Sequence, residues 1–492
     1  MPSLLDVSIA ELSVYLVFAL SGTVRNHAPA LWAQVFMTGI TTLIDDLNRT
    51  FAGPIGRASD LVFGPWTIAL LFAVGIFLTL RLRFVQFVSF GAAVRAFFGA
   101  DEAKAKGALS PFQTFMTALG ATIGTGNIAG VATAIVTGGP GALFWIWAWG
   151  LIAMAVKFTE AVLGVYYRRA GEGRLMAGPM IYLADGLKMP RLGWVYALVA
   201  GVAALTTTPF TQPNSIADVM SSQWHVPKLA TGIGLAILAL VTIIGGVKSI
   251  GRALEKLAPL KVLLYLAGGT FVLLTHIGEI PAVLSMVVRG AFTPDAALGG
   301  TAGVGIMIAM RYGIARGIYA NEAGYGTAGV VYGAARSKDP FQQGLNAIME
   351  VFIVSFVTSS ISALSILVTG VWKSPAGEPQ LTGAAAVAGA FETAMPGLGG
   401  SVVTVCVFLF GYTALTGWSY YGEQSLEYIF GPKVVMPYRW TYCALVVIGA
   451  TSKVDLVWNW GDLMNSLQIF PNLVGIVGLS GIAAMIVRDR KR

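Results

Sequence analysis

The stretch Ala118-Leu-Gly-Ala-Thr-Ile-Gly-Thr-Gly-Asn-Ile-Ala-Gly130 decides how this chain is read. It lies inside a long apolar segment, yet it is built of glycines and small polar residues. Gly120, Gly124 and Gly126 weaken any helix that runs through it, each by roughly 1 kcal/mol against alanine. Small residues at four-residue spacing also let bilayer helices pack closely, and glycine alone fits that use. Thr122, Thr125 and Asn127 argue for more, because close packing does not call for an amide at mid-membrane. Unwound backbone at that depth is tolerated only where it is buried in protein or lines a cavity. The stretch therefore predicts a broken helix with its backbone groups turned to a cavity.

The composition around it agrees. The chain has 492 residues, 56% of them hydrophobic and 11% charged, with a mean hydropathy of +0.73. Soluble domains carry about 25% charged residues. An all-α polytopic membrane protein follows, with spans of about 20 residues each. The formal charge of +8 does not imply nucleic acid, since in a membrane protein the position of charge matters more than its sum. Cys406 and Cys443 fall in apolar segments and offer neither a disulfide framework nor a metal spacing. His27, His225 and His276 are scattered in loops or at helix ends.

Residues 1–61 read as an N-terminal extension with one or two interfacial or weakly inserted helices, a true extra span being the alternative. Residues 62–487 form the membrane domain, and 488–492 are a basic tail. Apolar segments fall at about 62–80, 112–136, 143–166, 192–211, 230–246, 257–276, 301–332, 343–371, 398–429, 434–451 and 456–487, eleven in all. With residue 81 placed inside, twenty-two lysines and arginines lie in the loops and tail of one side. Lys228, Arg289, Lys373 and Lys453 are the four opposite them. The positive-inside rule then puts the C-terminus in the cytoplasm, as in a multi-pass protein of the bacterial inner membrane.

Setting the first segment aside leaves ten core segments. The first enters from the cytoplasm and the sixth from outside. Both are interrupted by glycine, the sixth at Gly313, Gly317, Gly324 and Gly326. Matching interruptions in two oppositely oriented halves point to a secondary transporter and its binding site. A broken helix offers carbonyls where its first half ends and free amides where its second half begins. The first suit a cation and the second a carboxylate. The carbonyls near Gly120, Thr122 and Ile123 and the Asn127 side chain are candidate Na+ ligands. The amides near Gly124, Thr125 and Gly126 are candidates for a solute carboxylate. In the sixth segment, Arg311, Arg316, Asn321 and Glu322 are costly in lipid and should face protein or water, as solute contacts, gates or supporting pairs. Tyr312 and Gly313 are favoured for the solute. Thr413 and Trp418 in the eighth segment offer a hydroxyl and a cap. Gln212, near the end of the third, could meet the solute from the outer half. Lys157 and Glu160 stand three apart on one helix face and suggest a mutual pair.

These residues resemble a known family, the alanine or glycine:cation symporters. The likeness is carried by Thr117–Ile135, Gly138-Gly-Pro-Gly-Ala142, Met154-Ala-Val-Lys-Phe-Thr-Glu160, Arg311-Tyr-Gly-Ile-Ala-Arg-Gly317, Asn321-Glu-Ala-Gly324 and Gly417-Trp-Ser-Tyr-Tyr-Gly-Glu423, and it runs from about residue 60 to about 480. It implies a LeuT-type fold, a five-plus-five inverted repeat with one preceding helix. It further implies uptake of a small neutral amino acid, alanine or glycine, coupled to Na+ without an enzymatic cofactor. By the same likeness Gly124–Asn127 would line the solute and ion sites. Thr413 would join the Gly120 and Ile123 carbonyls around sodium, and Gln212, Tyr312, Gly313 and Trp418 would surround the solute.

The chain departs from that pattern at Ala414, where a hydroxyl is expected, and at Lys261, where an apolar residue is expected. Lys261 is placed about two turns into its helix, about 11 Å. It either snorkels to the cytoplasmic surface or sets its ammonium at the vacated sodium site. In the second case H+ rather than Na+ does the coupling. A uniporter or channel remains a rival, although no ring of charges or carbonyls suggests a pore. An enzyme is disfavoured, since HExxH, the phosphate-binding glycine loop and a supported GxSxG are all missing from the sequence.

Overall fold

Ser110 starts the broken helix. Its hydroxyl accepts from the Gln113 amide, and its own amide donates to Gln113 Oε1, both at 3.1 Å. This reciprocal cap is followed by Pro111 at the first helical position, where a missing N–H costs nothing. With so firm a start the helix reaches its glycines after only three turns.

The computed structural model describes residues 50, 53–98, 108–171, 174–293, 302–337, 339–373 and 381–490. The chain divides into a unit over Met1–Ile55 and a unit over Gly56–Arg492. The helices expected in the extension before residue 50 lie outside the described residues.

Helix occurs at each of the eleven expected segments. The preceding helix is α1 (Pro65–Arg81), and the first core segment is α2 (Pro111–Thr122) plus α3 (Ala129–Gly138). There follow α4 (Gly141–Tyr167), α5 (Pro190–Thr206) with α6 (Thr208–Trp224), α7 (Lys228–Ile243) and α8 (Gly246–Thr275). The sixth core segment is α9 (Ala302–Asn321) plus α10 (Thr327–Gly333), and the seventh is α11 (Pro340–Phe352) with α12 (Ser359–Thr369). The last three are α13 (Gly399–Phe430), α14 (Val435–Thr451) and α15 (Val454–Gly478). Among the described residues, seven helices are long and apolar enough to cross a membrane, and two bent pairs raise this to nine. A two-stranded hairpin, Arg169–Gly171 with Arg174–Met176, is the sheet structure among them.

Two boundaries that differ from expectation bear on the site. The third core segment does not stop near residue 211, because α6 continues to Trp224 with Pro213 inside it. The fifth begins at Gly246 rather than 257, since the charged stretch 248–256 is helical rather than a loop. At the centre, α4 packs along α9, α10 and α11, while α2 lies between α8 and α13. Both broken helices are thus enclosed by unbroken ones, which is what unwound backbone requires.

Candidate functional site

The first core segment bends by 61° between α2 and α3. At the bend Gly124 is extended, and Thr125–Asn127 make one tight turn. A Cβ on Gly124 would stand 2.9 Å from Gln212 Oε1 and 3.0 Å from the Ala414 methyl. The second break lies between α9 and α10. There Glu322, Gly324 and Gly326 all have positive φ, at 57°, 101° and 84°.

A cleft opens between the two breaks. Of the expected solute residues, Thr122, Gly124, Gly126, Asn127, Gln212 and Trp418 line it. The Thr125 amide donates to Gln212 Oε1 at 2.9 Å, so the glutamine carbonyl occupies the oxygen seat at the start of the second half-helix. The Thr125 hydroxyl is buried without a partner. Asn127 is held from three sides. Its amide donates to the Thr122 carbonyl at 3.2 Å, its carbonyl oxygen Oδ1 accepts from Thr358, and its backbone carbonyl accepts from Ser362 at 2.6 Å. Thr358 closes a π-helical turn, Ile353–Thr358, in the middle of the seventh segment. Such turns re-aim side chains where a regular helix would not.

Tyr312 and Gly313 do not line the cleft. Gly313 presses on α4, where a Cβ would lie 2.3 Å from the Ala142 carbonyl, and Tyr312 lies against Gly138. The reason is that the second break comes at 322–326, beyond them. The cleft takes Tyr319, Glu322 and Tyr325 from that region instead. Glu322 is among the residues expected as solute contacts, gates or supporting pairs, whereas Tyr319 and Tyr325 flank the Asn321-Glu-Ala-Gly324 motif and carry no sequence signal of their own.

Lys261 does not snorkel. It is 0% exposed, and its Nζ donates to the Gly120 carbonyl at 3.0 Å and to the Ile123 carbonyl and Thr413 Oγ1 at 2.5 Å each. The oxygens expected to hold a cation therefore hold an ammonium. Because α8 starts at Gly246, Lys261 sits about 22 Å along its axis. That is too deep for the side chain to reach the surface.

The remaining polar residues serve the breaks. Lys157 pairs not with Glu160 but with Glu350 of α11, at 2.6 Å. The same Nζ donates to the Asn321 carbonyl at 2.7 Å and to Thr122 Oγ1 at 3.2 Å. Glu160 Oε1 instead accepts from the Gly324 and Gly326 amides at 2.9 and 3.2 Å and from Asn472 of α15 at 2.8 Å. The Asn321 side chain accepts from the Trp149 indole and the Ala323 amide. Arg316 pairs with Asp462 of α15 at 3.1 Å and lies over the Trp458 ring. Arg311 pairs with Asp60, away from the cleft. Among the described residues no cluster of acids, histidines or cysteines could hold a metal.

The sodium:alanine symporter family profile matches residues 49–492. The chain belongs to the sodium:alanine symporter family. It is 39% identical over 438 residues to a protein named Sodium/alanine symporter AgcS from Methanococcus maripaludis, across 88% of this chain and 95% of that protein. It is 31% identical to a probable sodium/glutamine symporter, GlnT, from Bacillus subtilis, across 89% of this chain and 90% of that one. Among solved structures it resembles MhsT in complex with L-phenylalanine, with a TM-score of 0.55 at 16% identity over 77% of this chain and 98% of that one. The fold is thus LeuT-like, and the chain is a membrane transporter of the amino-acid:cation symport class, not an enzyme.

Space at the first break is tight, and Gly126 tests it. A Cβ there would lie 2.7 Å from the Tyr319 ring. That ring is held by Trp458 at 5.2 Å and by its hydroxyl on Thr211. Gly126→Ala is expected to cost about 1–3 kcal/mol of overpacking, about 5- to 150-fold in solute affinity if all of it falls on the bound state. Scintillation proximity binding of labelled amino acid would check it. Wild-type affinity would remove Tyr319 as a fixed wall.

Proposed function

We propose that this chain takes up a small neutral amino acid, alanine or glycine, by alternating access, and that the proton on Lys261 serves as its coupling cation. One observation carries the ion assignment: the Lys261 ammonium on the Gly120, Ile123 and Thr413 oxygens. An ammonium buried at membrane depth is costly, by about 2.5–3.5 kcal/mol on insertion scales. Three oxygen acceptors offset that cost while the proton is bound. When the helices around the break part and the acceptors leave, the proton is released.

The substrate assignment rests on size. Gly124, Gly126 and Ala121 floor the cleft, and Tyr319, Tyr325 and Trp418 wall it. Solute carboxylate at the Thr125 and Gly126 amides would displace Gln212 Oε1, and Asn127 would support the turn that presents those amides. Arg316 with Asp462 bridges α9 and α15 beside Tyr319 and acts as a gate. The excess of lysine and arginine on one side supports a cytoplasmic C-terminus in a cell inner membrane.

Sodium coupling is the second reading. It is favoured by the family description and by the printed name of the relative AgcS. Uptake of labelled alanine into proteoliposomes, with proton and sodium gradients imposed in separate runs, decides between them. Accumulation driven by protons alone is the expected result. Accumulation driven by sodium alone would overturn the Lys261 assignment, and equilibration without accumulation would indicate a uniporter.

A further inference from the structure

One carboxyl group in the cleft has no task in transport so far. Glu322 lines the same space as Gly124, Gly126 and Gln212 and is 3% exposed. Its φ of 57° is left-handed, a region that costs a side-chain-bearing residue about 1–2 kcal/mol. The other two positive-φ positions of this break, 324 and 326, are glycine. Strain of this kind persists where the surrounding structure imposes it, and it clusters at ligand sites. At 322 the strained backbone turns a carboxyl group into the cleft.

The partners of that carboxyl are neutral. Oε1 accepts from the Trp418 indole at 2.7 Å, and Oε2 accepts from the Thr327 hydroxyl at 2.8 Å. The nearby cations are engaged elsewhere. Lys157 is paired with Glu350, Arg316 with Asp462, and Lys261 with the oxygens of the first break. Glu160 spends Oε1 on the Gly324 and Gly326 amides and Asn472. Among the described residues no salt bridge reaches Glu322. A buried charge without a counter-ion is expensive, and a zwitterionic solute brings a cation with it.

We propose that Glu322 is the counter-ion of the solute α-ammonium. The geometry of the cleft supplies both poles. The amides that open α3 receive the carboxylate once Gln212 Oε1 is displaced from the Thr125 amide, and Glu322, at the end of α9, receives the ammonium. Each half-helix end then meets the charge its dipole favours. The pair makes Glu322 the residue that admits amino acids and rejects carboxylic acids of the same size. This assignment rests on the amino-acid transport reading above.

The test is binding to purified full-length protein without gradients, using labelled alanine with lactate and propionate as competitors. Both competitors keep the carboxylate and a small side chain but lack the ammonium. The wild type is expected to prefer alanine to either by at least about 10-fold. Glu322→Gln keeps the size and the acceptor for Trp418. It is expected to weaken alanine by at least about 10-fold and leave lactate unchanged, so that the preference collapses. Glu322→Asp keeps the charge and is expected to retain part of the preference. A purely structural role predicts equal losses for alanine and lactate, and that result would overturn the proposal. So would wild-type protein that binds lactate as tightly as alanine, a comparison that does not depend on the variants folding. Wild-type protein that binds neither alanine nor glycine would overturn the transport reading itself.

Discussion

Lys261→Met is expected to abolish accumulation driven by a proton gradient while leaving solute exchange across the membrane measurable. Methionine replaces the apolar stem of the lysine, one atom short of its nitrogen, and carries no proton. Without the ammonium, the Gly120 and Ile123 carbonyls and the Thr413 hydroxyl lose a shared donor. Each unsatisfied buried group costs about 1–3 kcal/mol, so the variant should also melt lower than the wild type. Lys261→Ala goes further. It removes the side chain and leaves two carbonyls and a hydroxyl around an empty space, hard oxygen ligands of the kind that broken helices offer to sodium. Sodium is therefore expected to stimulate uptake by Lys261→Ala and to have no effect on Lys261→Met. The measurement is the same proteoliposome assay, read as the ratio of accumulated to equilibrated alanine under each gradient. Full proton-driven accumulation by Lys261→Met would sink the coupling role and leave the lysine as a structural tie.

The first break could be read from the chain because two signals coincide there. Glycines weaken the helix, and Thr122, Thr125 and Asn127 have no reason to sit at mid-membrane unless the helix opens. The second break was harder to place. Gly313 and Gly317 precede it in the same segment, but they serve close approach to α4, beside Ala142 and Trp149. Gly324 and Gly326 serve backbone conformation. Glycine is the same letter in both uses, and only the neighbouring helix tells them apart. Glycine positions alone therefore favour Tyr312 and Gly313 for a cleft that takes Tyr319, Glu322 and Tyr325.

Charge pairing failed for a related reason. Lys157 and Glu160 satisfy the local rule for a helix pair, yet each reaches a partner far away in sequence, Glu350 in one case and the Gly324 and Gly326 amides in the other. In a bilayer interior a buried group is drawn to the most demanding partner in space. The unpaired ends of a broken helix are more demanding than a neighbour one turn away. Lys261 has two placements open in the sequence because of where its helix is taken to start. The charges at 248–256 read as loop, whereas they form the first turns of α8. A start at 257 keeps the surface within its reach, and a start at Gly246 does not. Read with its true helix start, the chain leaves its ammonium no route to the surface.

Lys157→Met is expected to be the most destabilising substitution considered. The residue is 1% exposed and ties three site helices together through one nitrogen. It donates to Thr122 at the end of α2, to the Asn321 carbonyl at the end of α9 and to Glu350 of α11. Glu350 also accepts from the Thr122 hydroxyl at 2.5 Å and the Tyr332 hydroxyl at 2.9 Å, so it is built to be a charged acceptor. Removing the lysine strands that carboxylate in the interior. Breaking a buried pair in this way costs about 3–5 kcal/mol, a large share of a typical folding free energy of about 5–15 kcal/mol. Replacing both partners removes the stranded charge. Lys157→Met with Glu350→Gln is therefore expected to recover much of the loss, because residues in contact do not contribute additively. Thermal unfolding of the two single variants and the double variant in detergent, followed by size-exclusion fluorescence, measures that coupling. Additive losses would mean that the ion pair itself contributes little. The role of Lys157 would then lie in the Asn321 carbonyl, where its ammonium stands at the second break as Lys261 stands at the first.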